Sequence, residues 1–304
     1  MSETKSMREA FGEAMYELGG KNPAVVVLTA DLAESIRLTR FLEKYTDRFF
    51  NVGVAEADLI GISAGLALEG FIPFACSFAV FLPGRCYDHI RLSVSRNQAN
   101  VKLVGSHAGL SNPGDGVSAQ SFDDIALMRE LPGMTVIVPA DANQVKQAVM
   151  AMAEMIGPVY LRLNREPSLV LPEKPFEVGK GQLLREGKGV TIVACGAMVP
   201  IALEAAEEVD GEVINMHTIK PLDEEMVLKS VKKTGKVVTV EEHSVIGGLG
   251  SAVSEVLSEK MPVPMKIIGI EDRFGQSART NQELLEEYGL TVGHVVQECE
   301  KLIS

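Results

Sequence analysis

With 304 residues, 46% of them apolar, and a mean hydropathy of +0.13, the chain can build a sizeable core in one large or two medium domains. Its net charge of -12 and isoelectric point near 5.0 disfavour nucleic acid and anionic membranes as partners. Four cysteines (Cys76, Cys86, Cys195, Cys299) form no C-x-x-C pair, which argues against a disulfide framework or a zinc site and fits a reducing, cytoplasmic setting.

The polar lead MSETKSMREA is no signal peptide. A helix is predicted over 6–19, a strand over VVVLTA (25–30), a helix over 56–69 and a strand over FIPFACSF (71–78). The stretch from Leu59 to Leu82 imitates a membrane span with Glu69 as its single charge. Pro73 interrupts it and Glu69-Gly70 ends the helix, so it reads as a buried helix followed by a buried strand. Helices over 84–97, 122–131 and 141–156 then alternate with strands at VKLVGS (101–106), MTVIVPA (134–140) and VYLRL (159–163). Short apolar strands between helices predict a mainly parallel sheet covered on both faces.

Residues 166–189, EPSLVLPEKPFEVGKGQLLREGKG, hold three prolines and four glycines and read as a linker. The rhythm resumes with strands VTIVACG, EVINMHT, KVVTVEE and PMKIIGI and helices 198–209, 223–233, 248–259, 281–288 and 292–303. The fold class is α/β: two consecutive three-layer α/β/α domains, 1–165 and 190–304.

The richest segment is NVGVAEADLIGISAGLALEG, where Glu56 opens an otherwise apolar, glycine-punctuated helix. An acid enclosed by apolar groups is desolvated, and desolvation favours its protonated form. The plainer alternative is an acid placed at the positive end of the helix dipole. Gly61 and Gly65, four apart on that helix, permit close approach of a second helix and hint at a subunit interface.

Beyond these residue-level readings, several segments occur in a telling order: MREAFGEAMYELG, TADLAES, NVGVAEADLIGISAGLAL, SFAVFLPGRCYDHIR, GSHAGLSNPGDG, FDDIALMRELPGMTVIVPADANQ, VYLRLNRE, IKPLD and EEHSVIGGLGSAV. From about Met7 to the C-terminus, the chain resembles the C-terminal half of a transketolase: a thiamine-pyrimidine-binding domain followed by the family's C-terminal domain. The resemblance implies thiamine diphosphate as cofactor, with Glu56 as the acid contacting its pyrimidine. It implies Phe78 and Phe81 beside that ring, where aromatic faces can stack on a heterocycle and exclude water. It implies Asp31 near the thiazolium; a helix cap is the plainer role for that residue.

By the same resemblance, Arg8, Ser35, His107 and Arg165 grip the substrate's phosphate, His107 acting also in catalysis, and Asp115 contacts a sugar hydroxyl. Two guanidinium forks, a hydroxyl and an imidazole suit a dianion. The sequence departs from the family at Ala119, where transketolases carry His or Gln. Either the neighbouring Gln120 reaches in or the sugar differs from the usual pentose phosphate. Gly114-Asp115-Gly116 followed by Asn143 imitates a magnesium motif but lies in a Pro/Gly loop, so this chain is expected to hold no metal of its own. GGLGSAV (247–253) lacks the third glycine of a dinucleotide fingerprint. His217 and His243 at strand ends read as structural.

The first domain of a full transketolase, which holds the cofactor diphosphate and Mg2+, precedes the segment matched here. The resemblance therefore implies a separate N-terminal subunit that supplies that site, in an α2β2 heterotetramer acting on sugar phosphates. Alternatives that share the architecture are a transketolase for a sulfosugar or branched-sugar phosphate, a 2-oxo acid dehydrogenase beta-type subunit, and a 1-deoxyxylulose-phosphate synthase. A scaffold subunit without catalysis is the non-enzyme alternative.

Overall fold

Apolar and β-branched runs form strands at the spacing the sequence sets in the computed structural model, which describes residues 3–304; Met1 and Ser2, the start of the polar lead, lie outside the described residues. The chain begins β1 (Thr4–Ser6), α1 (Met7–Lys21), β2 (Val25–Thr29), α2 (Thr39–Lys44), β3 (Phe49–Asn51), α3 (Glu56–Leu68) and β4 (Ile72–Phe78). It continues α4 (Leu82–His89), β5 (Lys102–Ser106), α5 (Asp124–Glu130), β6 (Thr135–Ile137), α6 (Ala142–Glu154), β7 (Val159–Arg162) and β8 (Pro167–Leu169). The second half runs β9 (Gln182–Arg185), β10 (Val190–Ala194), α7 (Val199–Glu208), β11 (Gly211–Asn215), β12 (Thr218–Lys220), α8 (Glu224–Thr234), β13 (Val237–Ser244), α9 (Leu249–Lys260), β14 (Met265–Ile270), α10 (Asn281–Glu287) and α11 (Val292–Ile303).

The first sheet has seven strands in the order β12-β6-β7-β5-β4-β2-β3, and the second five in the order β14-β13-β10-β11-β9. Both are parallel except at one edge, where β12 and β9 pair antiparallel to their neighbours. Apolar side chains of α1 and α6, among them Met7, Phe11, Val145 and Met152, cover one face of the first sheet. The other face carries α3, α4 and α5, and that cluster continues without a break into Ile214, Met216, Val227, Leu249 and Leu257 of the second half. The second sheet is likewise covered by α8 and α9 on one side and by α7 and α11 on the other. The architecture is therefore two three-layer α/β/α units, the first built on a mostly parallel sheet.

Two features sit within or beyond the segment read as a linker. Gln182–Arg185 forms the edge of the second sheet, and Thr218–Lys220 leaves that sheet to pair with β6 of the first. The sequence also gave no sign of α2, β3 or the small β1–β8 ribbon. The helix over 84–97 is α-helical only to His89 and continues to Ser95 as a wider π-helical turn. The apolar stretch from Leu59 is α3 followed by β4, and among the described residues no helix is long and apolar enough to cross a membrane.

Helix starts follow local chemistry. Ser6 and Asp141 cap α1 and α6 by accepting from Glu9 N and Gln144 N. On α3, Leu59, Ile60, Ser63 and Ala64 are buried, whereas Gly61, Ile62, Gly65 and Leu68 form an uncovered apolar face. A Cβ placed at Gly61 or Gly65 would meet nothing within 4 Å.

Candidate active site

Parallel strands bring their following residues out at one end of the sheet, where α/β folds collect ligands. Asp31 follows β2, Glu56 follows β3, Phe81 follows β4, His107 follows β5 and Arg165 follows β7. The pairing of Phe78 with Ser106 puts the ends of β4 and β5 level, so Phe81 and His107 leave the sheet side by side. Topology alone thus gathers residues scattered over much of the chain.

Glu56 begins α3 and is 5% exposed. Its Oε2 accepts from Arg85 Nη1 at 3.3 Å, and the Arg85 side chain is 55% exposed. The Arg85 guanidinium lies 4.1 Å from the centre of the Phe81 ring. Phe81 stacks on Phe78 at 5.8 Å and 16°, and Phe78 on the His107 imidazole at 3.9 Å and 29°. Carboxylate, guanidinium, two phenyl rings and imidazole therefore form one continuous series. The Arg85 contact is legible only in three dimensions, because no spacing links position 85 to position 56.

His107 is buried, and burial together with the Arg8 and Arg165 guanidiniums pushes its pKa down to about 3. It is neutral at physiological pH, and its Nδ1 lies 2.9 Å from Ser106 Oγ. Its φ of 56° is in the left-handed region, an uncommon conformation for a residue with a side chain. Arg8 donates from Nη1 to the Ser35 carbonyl at 2.8 Å, while its buried Nε has no partner. Burial, and then the like charges of Arg37 and Arg165, lower the Arg8 pKa. A cluster of guanidiniums, one of them desolvated and carrying a free donor, favours an anion.

Arg165 donates to Asn112 Oδ1 at 2.9 Å, and Asn112 donates from Nδ2 to Asp115 Oδ2 at 2.8 Å. Asn112, which the sequence presented only as part of a turn, thus ties Arg165 to the exposed Asp115. Asp31 stands apart from these contacts. Its backbone N–H donates to Asn51 Oδ1 (3.0 Å) and its Oδ1 accepts from Asn51 Nδ2 (2.8 Å), at a φ of 62°. Ser35 meets Arg8 through its backbone carbonyl. Ala119 is buried, and Gln120 directs Nε2 to the Gln276 carbonyl at 3.0 Å, committing one of its two N–H donors to the second half of the chain.

Beneath the site lies a buried polar network the sequence did not announce. Asp124 Oδ2 accepts from Tyr160 Oη and Arg162 Nε, both at 2.8 Å, and Arg162 Nη2 donates to the Glu242 carbonyl at 2.9 Å. Burial pushes the neighbouring Glu241 and Glu242 carboxyls up to about 7. Glu241 accepts from Leu249 N and Gly250 N at 2.7 Å, so the Gly-rich segment at 247–253 wraps an internal carboxylate. His243 accepts from Ala126 N at Nε2 and faces the Ser244 carbonyl with Nδ1, which fixes the neutral Nδ1–H tautomer. His217 is buried against Phe176 at 4.2 Å. Both imidazoles are enclosed in packing, and burial lowers both to about 4.

The family described as "Transketolase, pyrimidine binding domain" matches residues 3–168, and "Transketolase, C-terminal domain" matches residues 179–295. The chain is 44% identical to the 6-deoxy-6-sulfo-D-fructose transketolase subunit SqwH of Clostridium sp. (strain MSTE9), over 96% of this chain and 92% of that protein. It is 45% identical to a putative transketolase C-terminal section of Methanocaldococcus jannaschii, over 94% of this chain and 92% of that one. Among solved structures, a split-gene transketolase described as an inactive beta4 tetramer superposes with a TM-score of 0.88 at 48% identity, covering 98% of both chains.

Proposed function

Because this chain belongs to the transketolase family, we propose that it is the pyrimidine-binding half of a split, thiamine-diphosphate-dependent transketolase that moves a two-carbon ketol unit from a ketose phosphate to an aldose phosphate. One observation carries the assignment of the cofactor site. The Arg85 guanidinium, a planar group edged with N–H, touches the Glu56 carboxylate and the Phe81 face at once. A planar aminated ring fits the same two surfaces. Glu56 would hold the proton exchanged with that ring, and Phe81, backed by Phe78, would stack on it and exclude water. Thiamine diphosphate, when bound, supplies a nucleophilic carbon and an electron sink for carbon–carbon cleavage.

Arg8, Arg165 and the neutral His107 would hold the sugar's distal anion, with Ser35 beside them, and Asp115 would meet a hydroxyl. Holding the far end of the sugar orients its carbonyl and lowers the entropic part of the barrier. Asp31 would lie near the thiazolium. A separate N-terminal subunit would hold the diphosphate through Mg2+, in an α2β2 assembly. The uncovered face of α3 supports a partner there, as does the inactive state of the beta4 tetramer that this chain resembles. The four unpaired, buried thiols suit the cytoplasm.

A second reading keeps the chemistry and changes the sugar. The small Ala119 carries no donor, and the Gln120 amide beside it is turned to the Gln276 carbonyl, which favours a modified sugar such as a sulfosugar or branched-sugar phosphate. The test is an assay of the chain, alone and with an N-terminal subunit, using thiamine diphosphate, Mg2+, xylulose 5-phosphate and ribose 5-phosphate. Sedoheptulose 7-phosphate formed only by the mixture supports the first reading. A cofactor-loaded complex that turns over only a modified sugar supports the second. Glu56→Gln should remove most turnover while the chain stays folded; near-full turnover would sink the catalytic assignment.

A further inference from the structure

We propose that Glu242, a residue of the C-terminal domain, is a positioning residue for sugar-phosphate binding: its carboxylate clamps together the two loops that carry the anion-holding side chains. The inference rests on the phosphate cradle argued above and deepens it. Glu242 lies on β13, remote in sequence from both loops, and is buried. Its Oε1 accepts from the backbone N–H of Leu110, and its Oε2 from Asn164 Nδ2, each at 2.8 Å. Leu110 lies between His107 and Asn112, and Asn164 immediately precedes Arg165.

Each loop is built to receive that carboxylate. Gly109 has a φ of 65°, and a Cβ there would stand 2.5 Å from the Glu242 carboxyl carbon. Glycine is thus the residue that lets the carboxylate approach Leu110 N–H. On the other side, Asn164 uses both ends of its amide: Nδ2 serves Glu242, and Oδ1 accepts from Glu166 N at 2.8 Å. Arg165 is held between these two bonds, and its own N–H donates to Ser111 Oγ at 3.1 Å, back across to the first loop. The Glu242 main chain is fixed in turn by Arg162, which is paired with Asp124. Asn281 adds a parallel tie from Nδ2 to the Leu110 carbonyl at 3.0 Å.

A glutamine at this position has nearly the same volume but one acceptor in place of two. Its amide donor would face either Leu110 N–H or the Asn164 amide. If Asn164 turned its oxygen to meet that donor, Glu166 N–H beside Arg165 would lose its acceptor. Either way the loops lose register, whereas Glu56 and the Phe78–Phe81 pair, which lie on other segments, are untouched.

The test compares wild type and Glu242→Gln in the assembled enzyme, with ribose 5-phosphate and unphosphorylated ribose as acceptors, and measures ribose 5-phosphate binding directly by titration calorimetry. Loss of one hydrogen bond's worth of positioning predicts a rise of about tenfold in KM and in Kd for ribose 5-phosphate. The kcat should stay within about threefold, and kcat/KM for ribose should change little. A wild-type enzyme that does not prefer ribose 5-phosphate over ribose would refute the phosphate cradle, and the clamp with it. A wild type with that preference and a Glu242→Gln variant that keeps it in full would refute the clamp alone. A variant with lowered kcat and unchanged KM would refute it too. Should Glu242→Gln fail to fold, Asn164→Ala cuts the same clamp from the other side, and retention of the preference there overturns the proposal.

Discussion

Replacing His217 by glutamine isolates one buried imidazole as an acid-sensitive element. Folded His217 takes up a proton only near pH 4, because burial disfavours its charged form, while the free imidazole does so near 6.5. Above 6.5 both folded and unfolded chains are neutral there. As pH falls from 6.5 towards 4, the unfolded chain binds a proton that the folded chain refuses, so stability is lost. Between about pH 7.5 and about pH 5 this one residue should cost about 2 kcal/mol, at about 1.4 kcal/mol per pKa unit crossed. The wild-type curve by itself conceals the effect. Glu241 and Glu242, raised by burial from 4.5 to about 7, bind protons in the folded chain first and so add stability over much of the same interval. The assay is therefore a difference: urea unfolding of wild type and His217→Gln at both pH values. The variant should lose about 2 kcal/mol less than wild type on acidification. Equal losses in the two proteins would refute the burial argument.

Two further substitutions probe the scaffold. Gly12→Ala would bring a Cβ to 2.1 Å from the Arg37 carbonyl, so in place of the usual gain from alanine in a helix it should cost about 1–3 kcal/mol; a raised melting temperature contradicts this. Gly61→Leu meets open space on α3, so the chain should melt within a degree or two of wild type, yet sedimentation should show weakened assembly with its partner. Unchanged assembly would rule that face out as an interface.

The alternation of short apolar strands with helices made the parallel sheets legible, because a strand buried on both faces has to be apolar throughout. The acid opening α3 was legible for a related reason: Glu56 is a charge in a segment that otherwise has few. The partners of these groups were not. Arg85 reaches Glu56 across the whole of α3 and β4, and Glu242 reaches Leu110 and Asn164 across a domain boundary. Such contacts are set by strand order, which local periodicity does not encode. Short elements were lost for a different reason. Phe49–Asn51 and Thr218–Lys220 are three residues each, too brief for a period of two to show.

The strand Thr218–Lys220 bears on how such a protein can be divided and inherited. It belongs by sequence to the second half, yet it closes the edge of the first sheet against Thr135–Ile137. Separating the halves within 166–189 would strip β6 of one of its two neighbours and leave the N–H and C=O groups on that edge as a template for other chains. Recombination that shuffles pieces among genes can therefore move the two halves together far more safely than either alone.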